Sequence, residues 1–170
     1  MNGTLVFPGR EEHGCELWRS DGVTAELLMD INPGPANSMW PGKTTPFRRV
    51  GNLVVFSADD GVSGLELWAT DGASTTRLVQ DIALGAGWSS PRFFTPAGHL
   101  VYFTADNPLS GAELWAIPKS TLRASLRLSD TGDSDLDDDP PPAPRARANE
   151  FRAFLPAVGD ELPDSDVVPR

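Results

Sequence analysis

Short apolar segments separated by turn residues recur along residues 1–128, and this pattern predicts β-strands. In the middle of the chain the apolar segments are 53–56, 65–69, 77–82 and 92–95, with Gly, Pro, Asp and Asn between them. β-Branched and aromatic residues bounded by such breakers are typical of strands joined by turns. No part of 1–128 keeps the i, i+3, i+4, i+7 spacing of an amphipathic helix over a comparable length. The sequence therefore predicts an all-β domain.

These predicted strands belong to a unit that repeats. The triplet Glu-Leu-Trp occurs three times, as Glu16-Leu17-Trp18, Glu66-Leu67-Trp68 and Glu113-Leu114-Trp115. The segment "ELLMDINPG" (26–34) also matches "RLVQDIALG" (77–85) in the same phase. A period of about 47 residues with four short strands lies between the WD and kelch repeats. We therefore expect β-propeller-like blades of four antiparallel strands, in units 3–50, 51–97 and 98–128, the last degenerate.

Each position of the repeated motif has an expected physical role. Adjacent Leu and Trp side chains point to opposite faces of a strand, so a sheet between two neighbours can bury both. The Glu before them is predicted to be an exposed or hydrogen-bonded strand residue. Asp21-Gly22 and Asp71-Gly72 predict turns, in which Asp bonds nearby backbone and Gly takes a positive φ. The third copy has Pro118-Lys119 instead, so its turn must be built differently.

The stretches "ELWRSDGVTAELLMDINPG" and "ELWATDGASTTRLVQDIALG", with "SSPRFFTPAGHLVYFTAD" after the second, resemble the bacterial ELWxxDGT repeat family. The resemblance covers residue 3 to about residue 128. It departs from the family where Val23 and Ala73 replace the Thr after Asp-Gly. The resemblance implies a propeller-like module from a tandem array in an exported or cell-surface bacterial protein. It implies no enzymatic activity and supplies structural landmarks rather than functional residues.

The number of repeats limits what the domain can form. A closed propeller takes about four to eight blades, and this chain holds fewer than three complete units. Either the chain is part of a longer array or blades from several chains complete a ring, and the first alternative is favoured. The expected partners are therefore further repeats of the same array or other copies of the chain, with a protein or glycan as ligand.

Charge separates the C-terminal segment from the repeats. The chain has 14 Lys and Arg against 24 Asp and Glu, and 129–170 holds 4 and 11 of these. The acidic, Pro-rich stretch 129–150 predicts a disordered linker, and the tail 151–170 contains a short apolar candidate strand at 151–158. A net charge of −10 without a basic cluster argues against nucleic-acid binding. No apolar run predicts a transmembrane segment, and no signal peptide is evident.

Acidic residues raise the question of a metal site. Asp133, Asp135 and Asp137 have the spacing of a calcium loop, but Gly is missing at its sixth position and Pro144 stands at its twelfth. A solvated acidic linker is expected, and a loose divalent-ion site is the alternative. Asp59 and Asp60 occupy a loop equivalent to those of Glu11-Glu12 and Asp106-Asn107, which would share one rim. Turn formation explains them, and calcium or polar-ligand binding is the alternative.

Candidate catalytic groups are few. Cys15 is the single cysteine and is expected to be a small, half-buried residue. His13 and His99 occupy different phases of the repeat, and no hydrolase, metalloprotease or nucleotide-binding motif occurs. The sequence thus favours a non-catalytic structural or binding module without a cofactor. The alternative is a fragment of a propeller enzyme that acts on carbohydrate.

Overall fold

The computed structural model describes residues 3–40 and 47–127, which form three antiparallel sheets and one short helix. The first sheet contains β1 (Leu5–Glu11), β2 (Gly14–Ser20) and β3 (Ala25–Met29). The second contains β4 (Arg48–Val50), β5 (Leu53–Asp59), β6 (Leu65–Thr70) and β7 (Thr76–Gln80). The third contains β8 (Arg92–Ala97), β9 (Leu100–Asn107) and β10 (Gly111–Pro118), and α1 (Lys119–Ser125) follows it. The all-β prediction is confirmed, apart from this helix. Of the four strands expected in each unit, the described residues form four in the second sheet and three in each of the other two.

The sheets do not coincide with the repeat units defined from the sequence. β4 lies at the end of the unit 3–50 but pairs with β5 of the next unit, and β8 pairs with β9 in the same way. Gly51 and Gly98 adopt φ values of 57° and 52° in the two-residue turns between these strands. Such turns join adjacent antiparallel strands directly. The boundaries 50/51 and 97/98 therefore cut through hairpins, and each later sheet takes its first strand from the preceding unit.

The second sheet packs between the other two and is buried on both faces. A first core joins it to the first sheet and contains Cys15, Leu17, Ile31, Met39, Val54, Phe56, Ala58 and Trp68. A second core includes residues of the second and third sheets, among them Leu53, Val55, Leu67, Ala69, Phe94, Val101, Phe103, Ala105 and Ile117. Leu67 and Trp68 lie in different cores, which confirms that the motif's Leu and Trp point to opposite faces.

A row of large side chains crosses each sheet at the motif's Trp. Trp18, Trp68 and Trp115 lie directly opposite Phe7, Phe56 and Phe103 on the neighbouring strand. The next strand adds Leu27 opposite Trp18 and Leu78 opposite Trp68. Opposed aromatic and apolar residues on one face stabilise an antiparallel pair. The repeated triplet therefore marks the same position in all three sheets.

Helix α1 stands where a further strand would follow β10. Pro118 ends the strand and precedes the first helical residue, with φ −62° and ψ 138°. Leu122 and Leu126 of this segment are buried in the second core. This is the different construction that Pro118-Lys119 requires, because the turn after the other two motifs is replaced by a helix start.

Several predicted features lie outside the described residues. They are the linker 129–150, the tail 151–170 with its candidate strand 151–158, and Asp133, Asp135 and Asp137. Within the described ranges, no helix has the length and apolar character needed to span a bilayer.

Replacing Trp68 should strongly destabilise the domain, because the side chain is only 5% exposed in the first core. We expect Trp68→Ala to lower the free energy of unfolding by about 3–5 kcal/mol in urea titrations of the full chain. Trp18→Ala is the matched control and should cost much less, since Trp18 is half-buried and belongs to neither core. Equal losses would contradict the burial order of the two tryptophans.

Candidate functional site

The glutamate of the first motif copy is buried and binds the backbone of a distant loop. Glu16 has no exposed surface, although its position precedes a core leucine in the middle of β2. Its Oε2 accepts hydrogen bonds from the N–H of Ile31 (2.8 Å) and Asn32 (3.4 Å). Its Oε1 accepts one from the N–H of Ser38 at 2.9 Å. Glu16 thus holds both ends of the segment between Ile31 and Ser38.

Glu66 repeats this arrangement in the second sheet. It is also fully buried, and its Oε2 accepts hydrogen bonds from the N–H of Ile82 (2.8 Å) and the Ser89 hydroxyl (2.6 Å). Its Oε1 accepts from the N–H of Ala83 (3.3 Å) and Ser89 (3.0 Å). We call Glu16 and Glu66 the loop-anchoring glutamates. The sequence left exposure and hydrogen bonding open for them, and the structure shows burial with hydrogen bonding.

One serine in each anchored loop connects two sheets. The Ser38 N–H also faces the carbonyl of Cys15 at 3.1 Å, and its own carbonyl accepts from the N–H of Asp59 at 3.0 Å. Ser89 does the same between the carbonyl of Leu65 (3.1 Å) and the N–H of Asp106 (2.6 Å). Ser38 therefore links β2 of the first sheet to β5 of the second, and Ser89 links β6 of the second sheet to β9 of the third. We call Ser38 and Ser89 the bridging serines.

A glycine two residues before each loop-anchoring glutamate lets the loop approach. Gly14 and Gly64 have φ values of 87° and 72°. A Cβ on Gly14 would lie 1.9 Å from the Ala36 carbonyl oxygen, and one on Gly64 would lie 1.9 Å from that of Gly87. Backbone at these positions requires glycine both for its φ and for space. Sequence reasoning missed this role, although the signal was present as Gly-x-Glu-Leu-Trp in all three copies.

The third copy of the motif differs from the other two at its glycine and its glutamate. Gly111 has a φ of 80°, but a Cβ added there would meet no described atom within 4 Å. Glu113 is half-buried, in contrast to the two loop-anchoring glutamates. The motif residues Leu114 and Trp115 still point to opposite faces, since Trp115 packs against the second core and Leu114 is 41% exposed.

Burial and hydrogen bonding act in opposite directions on the Glu66 carboxylate. Burial raises the pKa of Glu66, and the Ser89 hydroxyl and the three backbone N–H donors only partly offset this effect. Both oxygens are fully engaged by donors that belong to the folded chain. A carboxylate held in this way suits a structural junction, because it offers no free lone pair in a pocket for a substrate or a metal.

The Asp-Gly turns have the predicted construction. Asp21 Oδ1 accepts from the N–H of Val23 (2.9 Å) and Thr24 (2.8 Å). Asp71 Oδ1 accepts from the N–H of Ala73, Ser74 and Thr75 at 2.8, 3.0 and 2.9 Å. Burial acts to raise the pKa of Asp71, but these backbone bonds outweigh it and the pKa is lowered. Gly22 and Gly72 follow with φ values of 91° and 70°, which confirms the turn prediction.

Asp59 and Asp60 also form turns. Asp59 Oδ1 accepts from the Gly61 N–H at 2.8 Å, and Asp60 Oδ1 accepts from the Ser63 N–H at 2.6 Å. Asp106 instead pairs with Arg92 through two hydrogen bonds of 3.0 Å each. Over 3–40 and 47–127, no three His, Cys, Asp or Glu side chains converge as a metal site would need. The calcium alternative for Asp59 and Asp60 therefore gains no further ligands from this part of the chain.

The remaining candidate groups are engaged or buried. Cys15 is buried at 1% exposure rather than half-buried as expected, because it lies in the first core behind the loop of Ser38. Burial, followed by the neighbouring Glu16 carboxylate, raises the pKa of the Cys15 thiol, which opposes nucleophilic reactivity. The ring nitrogens of His13 lie 3.6 Å from Glu12 and from Asp30.

Two tryptophans outside the motif meet on the surface of the loops. Trp40 follows the first anchored loop and Trp88 lies within the second, and their ring centroids are 5.3 Å apart at an interplanar angle of 48°. Trp88 is 54% exposed and lies over Gly64, where a Cβ would come within 2.7 Å of its ring. Sequence reasoning missed this pair, because 48 residues separate the two tryptophans.

No family model, curated protein or solved structure matches the chain.

Removing a loop-anchoring carboxylate should destabilise the domain far more than removing its third-copy counterpart. Glu66→Ala leaves the N–H groups of Ile82 and Ala83 without their acceptor, each at a cost of about 1–3 kcal/mol, and leaves the Ser89 N–H with the Leu65 carbonyl alone. We expect a total loss of about 3 kcal/mol or more in the free energy of unfolding, measured with urea. The matched variant Glu113→Ala should lose much less, since Glu113 is half-buried. Comparable losses for the two variants would show that the anchored loop does not depend on Glu66.

The two acidic motif positions should respond to pH in opposite directions. The raised pKa of Glu66 means that the folded state binds this proton more tightly than the unfolded chain. The wild type should therefore gain stability relative to Glu66→Gln as the pH falls from 7 towards about 4.3, the ordinary Glu value. The lowered pKa of Asp71 predicts the reverse, a loss relative to Asp71→Asn as the pH falls through about 3.9 and below. Urea unfolding across this pH range measures both slopes, and slopes of the same sign would contradict the assignment.

Proposed function

We propose that this chain is a non-catalytic structural and binding module, assembled from repeats that each dock on the preceding one. One observation carries the proposal. Two successive sheets make the same connection with the same atoms: a buried glutamate Oε1 accepts from the N–H of a bridging serine, and the loop that carries the serine packs against a glycine two residues before the glutamate. A connection that occurs twice at equivalent positions is the property expected of a repeat protein.

The chemistry of the junction supports a structural role rather than catalysis. Its carboxylates are buried, accept hydrogen bonds from the backbone and lie between sheets rather than in an open cleft. The open cleft at the Asp21 turn, about 250 Å³, is lined by Thr4, Arg19, Ser20, Asp21, Thr24 and Glu26. Its cation is engaged within the fold, because Arg19 pairs with Glu26 at 2.5 Å and donates to the Ala73 carbonyl at 2.7 Å. This cleft supports no catalytic proposal.

We further propose that the module is part of a β-propeller-like array. The described sheets have three, four and three strands, and antiparallel sheets stacked with one Trp at each interface support a β-propeller-like array, whose complete blades have four strands. The phased Glu-Leu-Trp motif supports membership of the ELWxxDGT repeat family, and the proposal follows that family in placing the module in an exported or cell-surface bacterial protein. Recognition of a protein or glycan would use the exposed loop surface, where the half-exposed Trp88 offers an aromatic face.

Insertion of an additional repeat tests whether the unit is modular. A second copy of residues 51–97 would be placed after residue 97, so that each new hairpin starts at an existing Gly turn. If the unit docks on its neighbour, the longer chain folds in one cooperative transition with a larger urea m-value, because more surface is buried. The matched control carries Glu66→Ala and Gly64→Val in the inserted copy alone, and the inserted unit should then become susceptible to proteolysis.

Two results would contradict the proposed function. An inserted wild-type unit that stays protease-sensitive while the original sheets remain folded would show that the unit is not modular. Hydrolysis of a polysaccharide by the purified chain, lost in Asp59→Asn or Asp60→Asn without loss of stability, would show that the chain is an enzyme.

A further inference from the structure

The two end sheets expose opposite halves of an interface that the chain already forms twice. In the first core, the Trp68 side of the second sheet packs on the Leu17 side of the first. In the second core, Trp115 and Phe103 of the third sheet pack with Leu67 and Val55 of the second. Each interface therefore joins the Trp side of one sheet to the Leu side of the sheet before it. The Trp side of the first sheet and the Leu side of the third sheet are left over.

The Trp18 face is defined by four residues of the first sheet, Leu5, Phe7, Trp18 and Leu27. The strand registers make them the counterparts of Val54, Phe56, Trp68 and Leu78, which lie in or against the first core. Leu5 is 61% exposed, whereas Val54 is 8% exposed. The Trp18 face thus has the side chains of a buried interface with none of the described core residues packed over it.

The Leu114 face is defined by four residues of the third sheet, Leu100, Tyr102, Leu114 and Ala116. Their counterparts in the second sheet are Leu53, Val55, Leu67 and Ala69, all of which are buried in the second core. Leu114 is 41% exposed, and Leu67 is 1% exposed. The space beside Gly111, at the edge of this face, is also open among the described atoms, where Gly14 and Gly64 contact a loop.

We propose that copies of this chain associate head to tail, with the Trp18 face of one copy packed on the Leu114 face of another. A second copy of the chain is the expected partner, because both internal interfaces pair the Trp side of one sheet with the Leu side of another. Pairing of two identical faces has no precedent in the fold. The interaction is heterologous, so each copy keeps one further face available, and the assembly closes into a ring or continues. It rests on the proposed function, because it treats the sheets as equivalent repeats.

Association between copies is weaker than the internal contacts. Within the chain, an anchored loop connects neighbouring sheets and reduces the entropic cost of docking them, and this covalent link is missing between two copies. The assembly is therefore reversible and depends on concentration. Light scattering after size exclusion, from about 1 μM to about 1 mM chain, should show the mean mass rising from 18.3 kDa to twice that value or more.

Complementation of two single-face variants tests the geometry. Leu5→Arg disrupts the Trp18 face, and Leu114→Arg disrupts the Leu114 face, at side chains exposed enough to leave the monomer folded. Each variant alone should remain at 18.3 kDa. An equimolar mixture should form a 1:1 complex of twice that mass and nothing larger, because each partner contributes one intact face. Leu5→Glu and Leu114→Glu repeat the test in case an arginine variant fails to fold, as judged by near-UV circular dichroism.

Three outcomes would overturn the proposal. A mass of 18.3 kDa for the wild type at every concentration means that the two faces do not pair between copies. Association abolished by only one of the two substitutions means that identical faces pair. Failure of the mixture to form the 1:1 complex excludes head-to-tail packing. If the chain with the inserted unit folds in these cases, the repeat module stands and only self-association fails.

Discussion

The hydrogen bonds from a distant loop to a buried carboxylate determine how the sheets of this protein are spaced. Burying Glu16 or Glu66 would be costly in isolation, so the fold is stable only if the loop supplies its donors. The serine carbonyl of the same loop then accepts a hydrogen bond from the next sheet. The donor is the Asp59 N–H at 3.0 Å in one case and the Asp106 N–H at 2.6 Å in the other. Each carboxylate therefore fixes both its own loop and the position of the following sheet.

The sequence predicted the features that depend on neighbours along the chain. Leu67 and Trp68 lie on opposite faces because strand geometry alternates, and Asp71 forms its turn with donors two to four residues away. The role of Glu66 could not be predicted in this way, since its donors lie 16 to 23 residues further along the chain. Helix α1 also depends on tertiary contacts, because seven residues are too few for a helix to be stable alone and Leu122 is fixed by the second core.

The buried indole N–H groups of the interface tryptophans show that apolar burial dominates the packing of one sheet on the next. Trp68 and Trp115 each have a buried Nε1 without a hydrogen-bond partner among the described residues. An unpaired buried donor costs about 1–3 kcal/mol. Burying an indole removes about 150–250 Å² from water, which at about 25 cal/mol per Å² contributes about 4–6 kcal/mol. Apolar area therefore outweighs the lost hydrogen bond, and a large ring is retained in both sheets.

Stability in such an arrangement depends on the number of neighbours that each sheet has. β5 is buried from Leu53 to Ala58, whereas β1 and β10 contain no such buried run. The central sheet thus has no face left for recognition, and the surfaces open to another molecule are the loops and the two outer faces. Other loop residues can therefore vary without disturbing the junction, because Glu66, Ser89 and Gly64 are the residues that hold the sheets together.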